Sequence, residues 1–508
     1  MRVFHKLPGN SGQFSVRFDQ TGRRLQTTYP SGSHIVLRRY TAAGRLARVV
    51  SGDRETVYAY NDDVSSGQKP LTASVVHQQR DVSVKTKFVF MQQENGPRGG
   101  GVVGGGGEEE VEEGGAYRRQ RKAGLLTEQR INFDAKSALA DAKFSYKYRN
   151  DLTLMERRGR IGGQTIPRVG LFPLPPSSSS ALSSQGNRQP GGGNNREHGN
   201  FYLTANGSRL TDGNAIYQRT DTLVTLSIGG REVFSAELAY NGCNRLRQNA
   251  MMLKRSSEFF KQVKEYGYDA AGQITEVREN NHVWKYEYDA NGNMKKLIFG
   301  KTEHVFDYDS WDQLVRYNTA VLAYDAQGRM VKNHKEWNFV YGSGNLLVEA
   351  SCRQNKKQQR MVYYYDHLDR LVGWRGDERG QITQFYYSLT ARPYLVSHIY
   401  LPREDTLTSL VYDAADNLVY ARVQEAGYYI VSDQTGAPFL FFTRSGNLAK
   451  EVNRSPYGQI TYDSNPEIVI PLGPGGSIVD PATGLLHVQR APRGKRAREK
   501  IYSRQIVR

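Results

Sequence analysis

The residues with the clearest potential for chemistry are aspartates that recur in a short motif. The motif reads Tyr-Asp-x-x-Gly-x-Leu or a near variant, and its carboxylate could in principle act as a catalytic acid or base. The clearest copies contain Tyr268, Asp269 and Gly272; Tyr288, Asp289 and Gly292; and Tyr324, Asp325 and Gly328. Weaker copies begin at Phe18, Tyr40, Tyr240, Tyr308, Tyr341, Tyr365 and Tyr412. Because a catalytic pair needs two carboxyls at a defined separation, scattered aspartates favour a role in turns.

The same motif is typical of the turn of a β-hairpin. In the segment 284–288 aromatic residues alternate with charged ones, which predicts a strand with one aromatic face. Asp289 can accept hydrogen bonds from the backbone N–H groups near it, and Gly292 supplies the positive φ of the turn. One hairpin is marginally stable alone. The repeats are therefore predicted to stack into one continuous sheet that curls and closes.

The composition favours the same fold class. The chain has 508 residues, of which only 38% are hydrophobic, and it is rich in glycine (51) and tyrosine (32). This balance favours turns and aromatic strands over long helices and argues against one large solid core. No stretch approaches the roughly 18 apolar residues needed to span a bilayer, and the first residues contain no apolar run typical of a signal peptide. We expect neither a transmembrane span nor a signal peptide in this chain.

The number and spacing of the cysteines and histidines, together with the net charge, exclude several classes of function. Two cysteines, Cys243 and Cys352, cannot build a disulfide scaffold or a four-cysteine zinc site, and the ten histidines are scattered. We expect no metal centre and no cofactor. The net charge of +18 could attract nucleic acid, glycans or acidic membranes. No DNA- or RNA-binding motif accompanies it, so specific nucleic-acid binding is not expected, whereas the basic tail at 489–508 could attract glycans.

The composition shifts along the chain divide it into seven segments. The alternating pattern typical of strands is interrupted twice by segments that cannot bury apolar surface. The sequence pattern changes again near residue 427. The predicted segments are shell strands at 1–94, a Gly/Glu-rich disordered insert at 95–118, shell strands at 119–172, a Pro/Ser/Gly/Asn-rich disordered insert at 173–200, the YD-repeat shell at 201–426, a closing core segment at 427–488 and a basic tail at 489–508.

The repeats and the closing segment together resemble a known family. The series of Tyr-Asp motifs leads into Asp433-Gln-Thr-Gly436, then Lys450-Glu451 with Pro456-Tyr457-Gly458, and finally Asp480-Pro481. This order resembles the YD-repeat and Rhs-associated-core proteins, and among them the extracellular C-terminal half of the teneurins. The resemblance implies an all-β fold in which YD hairpins spiral into a large hollow barrel-like shell, closed by the Rhs-core-like segment at 427–488.

The same resemblance implies a biological role. A teneurin-like chain would be a non-enzymatic extracellular shell region that acts in cell–cell adhesion, trans-synaptic recognition, neuronal development and axon guidance. It would lie at the extracellular face of the plasma membrane as part of a longer single-pass protein. Its expected partners are other teneurins, bound homophilically or heterophilically, and latrophilin-type adhesion receptors.

Two other functions stay open at this level. The first is a toxin-encapsulating, self-processing shell of the Rhs type, because bacterial relatives use acidic core residues for self-cleavage and Asp480 lies in the matching region. The turn Asp-Pro-Ala-Thr-Gly offers Asp480 a purely structural role. The second is a secreted carbohydrate-binding scaffold, although packing is the expected role of the aromatic stripe that contains Trp284.

Three short motifs are candidate modification sites. Asn206 and Asn453 begin N-glycosylation sequons, and Pro456 after the second sequon favours the first as the acceptor. Arg493, Lys495 and Arg496 match a furin-type cleavage pattern, for which a spuriously translated basic tail is the alternative interpretation.

Overall fold

A computed structural model describes most of the chain. The described residues are 2–6, 13–28, 35–60, 72–79, 82–90, 125–134, 138–148, 154–166, 170–173, 200–203, 209–255, 258–342, 345–354, 357–376 and 380–488. The predicted insert 95–118 and the basic tail 489–508 lie outside these ranges, as does the insert 173–200 apart from its two end residues.

The chain forms two compact units. Unit 1 comprises Met1–His5, Phe14–Arg168 and Asp366–Leu368, and unit 2 comprises Lys6–Gln13, Val169–Tyr365 and Asp369–Arg508. The strands of unit 1 belong to a first sheet. Its twelve strands, in spatial order, are β1 (Arg2–Lys6), β2 (Gln13–Phe18), β3 (Arg24–Thr28), β4 (Ile35–Tyr40), β5 (Leu46–Ser51), β6 (Arg54–Tyr60), β7 (Thr72–Gln79), β8 (Val82–Phe90), β9 (Leu126–Phe133), β10 (Ala142–Tyr148), β11 (Leu154–Ile161) and β12 (Gln164–Thr165).

Unit 2 is built mainly from a second and a third sheet, each with fourteen described strands. The second contains β13 (Gly170–Pro173), β14 (Asn200–Leu203), β15 (Arg209–Thr211), β16 (Ala215–Arg219), β17 (Leu223–Ile228), β18 (Arg231–Tyr240), β19 (Leu246–Arg255), β20 (Glu258–Tyr268), β21 (Ile274–Glu279), β22 (His282–Tyr288), β23 (Met294–Phe299), β24 (Thr302–Tyr308), β25 (Leu314–Tyr317) and β26 (Ala320–Val321).

The third sheet runs into the closing segment, which ends in a small hairpin. Its strands are β27 (Ala323–Tyr324), β28 (Met330–Lys332), β29 (Asn338–Tyr341), β30 (Leu347–Gln354), β31 (Lys357–Tyr365), β32 (Leu371–Gly376), β33 (Ile382–Tyr386), β34 (His398–Leu401), β35 (Thr406–Tyr412), β36 (Leu418–Val423), β37 (Ala426–Ser432), β38 (Pro438–Thr443), β39 (Leu448–Arg454) and β40 (Ile460–Asp463). The hairpin pairs β41 (Ile478–Val479) with β42 (Leu486–His487) after a single-turn 3-10 helix at Pro474–Gly476.

Strand order in space follows strand order in sequence throughout the three large sheets. Neighbouring strands pair antiparallel, as β21 does with β22 and β22 with β23, whereas β13 and β14 pair parallel. The prediction of an all-β chain of consecutive hairpins is confirmed. Within the described strands, no large sheet pairs its first strand with its last. No helix in the described part of the chain is long and apolar enough to cross a membrane.

The main core of unit 2 joins the second sheet to the closing segment. Strand β17 alternates half-buried and buried side chains, as expected for a strand with one face in a core. Its residue Leu226 lies in one apolar cluster with Phe234 of the second sheet and with Tyr429 and Phe442 of the third, all at most 2% exposed. Burial of such apolar and aromatic surface is the main force that holds the two sheets together.

A buried lysine fixes the loop that follows β40. Lys450 is 5% exposed, and its ammonium donates to a carboxylate oxygen of Asp463 at 2.8 Å. It also donates to the backbone carbonyls of Asn465 at 2.7 Å and Ile468 at 3.0 Å. An ammonium has three hydrogens to donate, so this buried charge is fully satisfied.

We expect Lys450→Met to lower the free energy of unfolding by about 2 kcal/mol, because the half-buried Asp463 carboxylate and two carbonyls lose their donor. The check is the midpoint of urea unfolding, followed by tryptophan fluorescence. The control is Lys296→Met, since Lys296 pairs with Glu303 at a partly exposed site and its loss should cost less than about 1 kcal/mol. Equal losses in the two variants would contradict this account of Lys450.

Candidate functional site

The aspartates of the repeat motif cap the turns that they begin. Oδ1 of Asp269 accepts the backbone N–H of Gln273 at 2.8 Å, and Oδ1 of Asp289 accepts that of Asn293 at 2.8 Å. In return, the backbone N–H of each aspartate donates to the carbonyl of the same partner residue. Asp325 caps its turn in the same way. These carboxylates therefore organise backbone.

The glycines of the motif occupy the left-handed region, with φ of 87° at Gly272, 80° at Gly292 and 76° at Gly328. At Gly272 a Cβ atom would also lie 2.0 Å from the Arg245 guanidinium, so this flexible side chain would have to move. The backbone conformation is therefore what favours glycine at this position.

The tyrosines of the motif tie adjacent turns together. The Tyr268 hydroxyl, at the end of β20, donates to the carbonyl of Leu246 at the start of β19 at 2.7 Å. The Tyr288 hydroxyl donates to the carbonyl of Ile274, the first residue of β21, at 2.7 Å. The same bond joins Tyr40 to Arg24, Tyr60 to Leu46, Tyr148 to Leu126, Tyr324 to Leu314, Tyr341 to Met330, Tyr365 to Leu347 and Tyr387 to Leu371. Each turn is thereby linked to the one before it.

Arginines strengthen the same links. The Arg245 guanidinium lies 5.9 Å from the centre of the Tyr268 ring, and that of Arg329 lies 5.0 Å from the ring of Tyr341. Equivalent pairs are Arg23 with Tyr40, Arg45 with Tyr60 and Arg370 with Tyr387. In every pair the arginine stands five positions after the first residue of the preceding motif. A cation over an aromatic face stabilises each contact by about 0.5–1 kcal/mol at an exposed site.

We expect Tyr268→Phe to destabilise unit 2 by about 1 kcal/mol, because the Leu246 carbonyl loses a hydrogen-bond donor while the ring remains in place. The measurement is the shift in the urea unfolding midpoint. Tyr240→Phe is the matched control, since Tyr240 holds the same motif position with a 41% exposed side chain, and its change should stay within about 0.5 kcal/mol. A Tyr268→Phe variant as stable as the control would argue against the link.

A second group of polar residues surrounds Asp480 in the closing hairpin. Asp480 is fully buried, and its Oδ2 accepts hydrogen bonds from the Tyr363 hydroxyl at 2.5 Å and the Thr483 hydroxyl at 2.7 Å. Its Oδ1 accepts the backbone N–H of Ala482 at 2.8 Å. The contacts join the closing hairpin to β31, which carries Tyr363. Sequence analysis singled out Asp480 but missed Tyr363, which looks like any other strand tyrosine.

The environment of Asp480 holds its neighbours in their neutral forms. Burial, followed by the charge of Asp480, raises the pKa of Tyr363 well above its ordinary value. The His487 ring lies 4.8 Å from that of Tyr363, and burial lowers the pKa of His487 to about 4, against the opposing effect of Asp480. A general base must reach a proton of its substrate. The oxygens of Asp480 instead contact donors of the protein itself, so this arrangement is suited to holding the hairpin.

A cleft in unit 2 separates the inner face of the second sheet from the closing segment. Its volume is only about 70 Å³. One wall carries Lys264, which pairs with Glu279 at 3.1 Å, and a side-chain amide of Gln434 on the other wall donates to the Tyr266 hydroxyl at 3.0 Å. Charges of both signs and an aromatic ring line it. Within the described residues, no cluster of three or more His, Cys, Asp or Glu side chains could hold a metal ion.

The predicted modification sites fall in different places. Asn453 is half-buried on the wall of this cleft, and its side-chain amide donates to Glu451 at 3.3 Å. Asn206 lies outside the described residues, as do Arg493, Lys495 and Arg496. Their roles remain predictions.

The capped, tyrosine-linked hairpins and the closing segment define a YD-repeat β protein. The family model described as Teneurin YD-shell matches residues 1–94 and 108–496 of the chain. The chain belongs to the teneurin YD-shell family.

Individual relatives agree with this membership. The chain is 26% identical over 492 residues to Teneurin-m of Drosophila melanogaster, which covers 95% of this chain and 16% of that protein. It is 25% identical over 511 residues to human Teneurin-1, covering 96% of this chain and 16% of that protein. Human Teneurin-4 is 32% identical over 229 residues, which is 44% of this chain and 8% of that protein. The chain thus spans about a sixth of the length of Teneurin-m and of human Teneurin-1.

A solved structure supports the fold. The crystal structure of TcdB2-TccC3-Cdc42 contains a chain that superposes with a TM-score of 0.60 at 14% identity, over 94% of this chain and 25% of that chain. At this identity the similarity concerns the fold alone.

Proposed function

We propose that this chain is the non-enzymatic extracellular shell region of a teneurin-like cell-surface protein that acts in cell–cell adhesion. The observation that carries the proposal is the family match across nearly the whole chain. Trans-synaptic recognition, neuronal development and axon guidance are the settings in which such adhesion would operate. The chain would lie outside the cell as part of a longer single-pass protein.

The chemistry of the described residues supports a binding role over a catalytic one. The motif aspartates are committed to turn backbone and the Asp480 carboxylate to the closing hairpin. Large apolar side chains are instead exposed at the surface of unit 2, among them Trp311 at 47%, Val321 at 65% and Tyr462 at 52%. Exposed aromatic residues are favoured where a protein meets another protein. Other teneurins and latrophilin-type adhesion receptors are the proposed partners.

The adhesion proposal is tested by displaying the full chain on cells through an unrelated membrane anchor. Cells that carry it should aggregate with cells that express a teneurin or a latrophilin-type receptor, and cells that carry the anchor alone should not. A matched chain that ends at residue 488 separates protein recognition from attraction of the basic tail to glycans. Aggregation that disappears with the tail, or on addition of heparin, would favour the carbohydrate-binding alternative. The absence of aggregation with either receptor class would contradict the proposal.

A self-processing, toxin-encapsulating shell is the second candidate, favoured by the fold similarity to TcdB2-TccC3-Cdc42 and by Asp480 in the closing hairpin. We expect the purified chain to keep its full mass on prolonged incubation, because the Asp480 oxygens are occupied by donors of the protein. Intact-protein mass spectrometry makes the check, with Asp480→Asn as the control. Cleavage near residue 480 that Asp480→Asn abolishes would replace the adhesion proposal by this one.

A further inference from the structure

A row of basic side chains crosses one face of the first sheet. Lys87 of β8 lies directly opposite Arg130 of β9. Lys143 of β10 lies opposite Arg130 on one side and opposite Arg160 of β11 on the other. Residues that lie opposite each other in neighbouring strands share a face of the sheet, and all four side chains are exposed. We call these four residues the basic row.

The basic row carries more positive charge than the side chains around it compensate. Neighbouring strands lie about 4.8 Å apart, so the four charges are spread along about 14 Å. Like charges directly opposite each other destabilise a sheet. Glu128 pairs with Arg130 and also with Lys143, the latter at 2.8 Å. Among the described residues no acidic side chain pairs with Lys87 or Arg160, so the row keeps a net positive charge.

The longest run of acidic residues in the sequence belongs to the connection between two strands of this row. Residues 91–125 join β8 to β9, and the stretch 108–113 within them reads Glu-Glu-Glu-Val-Glu-Glu. We call this stretch the acidic run. In an extended peptide alternate side chains point the same way, so Glu108, Glu110 and Glu112 would place three carboxylates along about 13 Å. The acidic run therefore matches the basic row in length and is opposite to it in charge.

The connection is long enough to bring the acidic run onto the basic row. Glu113 precedes Leu126, the first residue of β9, by 13 residues. An extended chain spans about 3.3 Å per residue, so this shorter arm reaches about 40 Å. Arg130 lies about 13 Å along β9 from Leu126, well within that reach. A segment tethered this close to its site meets it at an effective concentration on the order of millimolar, so weak pairing is enough for docking.

We propose that the basic row is a docking site for an acidic peptide segment, and that its occupant is the acidic run of the same chain. Carboxylates of the run would pair with Lys87 and Arg160, which have no acidic partner among the described residues, and would reduce the repulsion along the row. Because both partners are charged and at the surface, the contact weakens as salt rises. While the run is docked, the row is unavailable to other polyanions.

Carbodiimide cross-linking of the full-length chain, followed by mass spectrometry, tests the contact. The reagent joins a carboxylate directly to a lysine amine, without a spacer, so it reports groups that already touch. We expect links from the acidic run to Lys87 and Lys143 at least about fivefold more abundant than links to Lys295 and Lys301, which are exposed in unit 2. Salt at about 0.5 M should remove this difference.

A mixture of isotopically light and heavy chains separates links within a chain from links between chains. Links within one chain to Lys87 and Lys143 support the proposal. Equal yields at the row and at the unit 2 lysines, links to the lysines of the basic tail instead of the row, or links that form only between chains would overturn it.

Matched charge variants of the full-length chain test whether the run occupies the row. The first variant neutralises three glutamates of the acidic run: Glu108→Gln, Glu110→Gln and Glu112→Gln. The control neutralises three exposed glutamates of unit 2 and so changes the net charge equally: Glu232→Gln, Glu258→Gln and Glu467→Gln. A fluorescent hexaglutamate peptide should bind the first variant at least about tenfold more tightly than the control at low salt, because the row is then free.

Substitutions in the row show where the added peptide binds. Lys87→Gln with Arg160→Gln, introduced into the first variant, should abolish the gain in affinity, and circular dichroism checks that the sheet remains folded. Equal peptide affinity in the first variant and the control would mean that the run does not cover the row. A gain that survives the loss of Lys87 and Arg160 would place the peptide elsewhere. Either result would end the proposal.

Discussion

The structure depends on one recurring interaction: a tyrosine hydroxyl that donates to the backbone carbonyl at the first residue of the preceding strand. Tyr268 and Tyr288 make this bond to Leu246 and Ile274, and its equivalents recur in both units. A β-hairpin alone is marginally stable. The bond holds each turn at a fixed position relative to the turn before it. The strand register of one hairpin therefore restrains the register of the next. The aspartate cap and the positive-φ glycine then shape a turn whose position the tyrosine has set.

Much of the fold could be predicted from residue types and spacing. Alternation of aromatic and charged residues around Trp284 indicated a strand, and Asp289 with Gly292 indicated its turn, because both signals act within a few residues of each other. The tyrosine–carbonyl link was missed, since its acceptor is a backbone atom some 20 residues earlier in the chain and any residue type can provide it. The arginines above the tyrosines were missed although their spacing is regular, because a cation–π pair spans two motifs.

The closing segment shows a different limit of sequence analysis. Asp480 was recognised from a motif, and motif alone left it open between self-cleavage and a turn. Its partner Tyr363 stands 117 residues away and is brought to it only by the packing of β31 against the closing hairpin. In the same way, Lys87 and Arg160 share one row only because β8 to β11 lie side by side. Contacts between residues that are far apart in sequence can be identified only once the fold is known. The family, in contrast, was predicted from the order of the motifs, and the family match confirms it.

The agreement between strand order in space and in sequence also bears on how so large a β protein can form. Many all-β folds also pair strands that are far apart along the chain, and closing the intervening loops slows folding. Here each new strand finds its partner in the strand made just before it. The sheets can therefore grow from one end during synthesis, one hairpin at a time, with an edge that the next segment covers as it leaves the ribosome. At each stage, only one unpaired strand edge of the growing sheet would be exposed. The surface through which a partly folded chain could aggregate would therefore stay small.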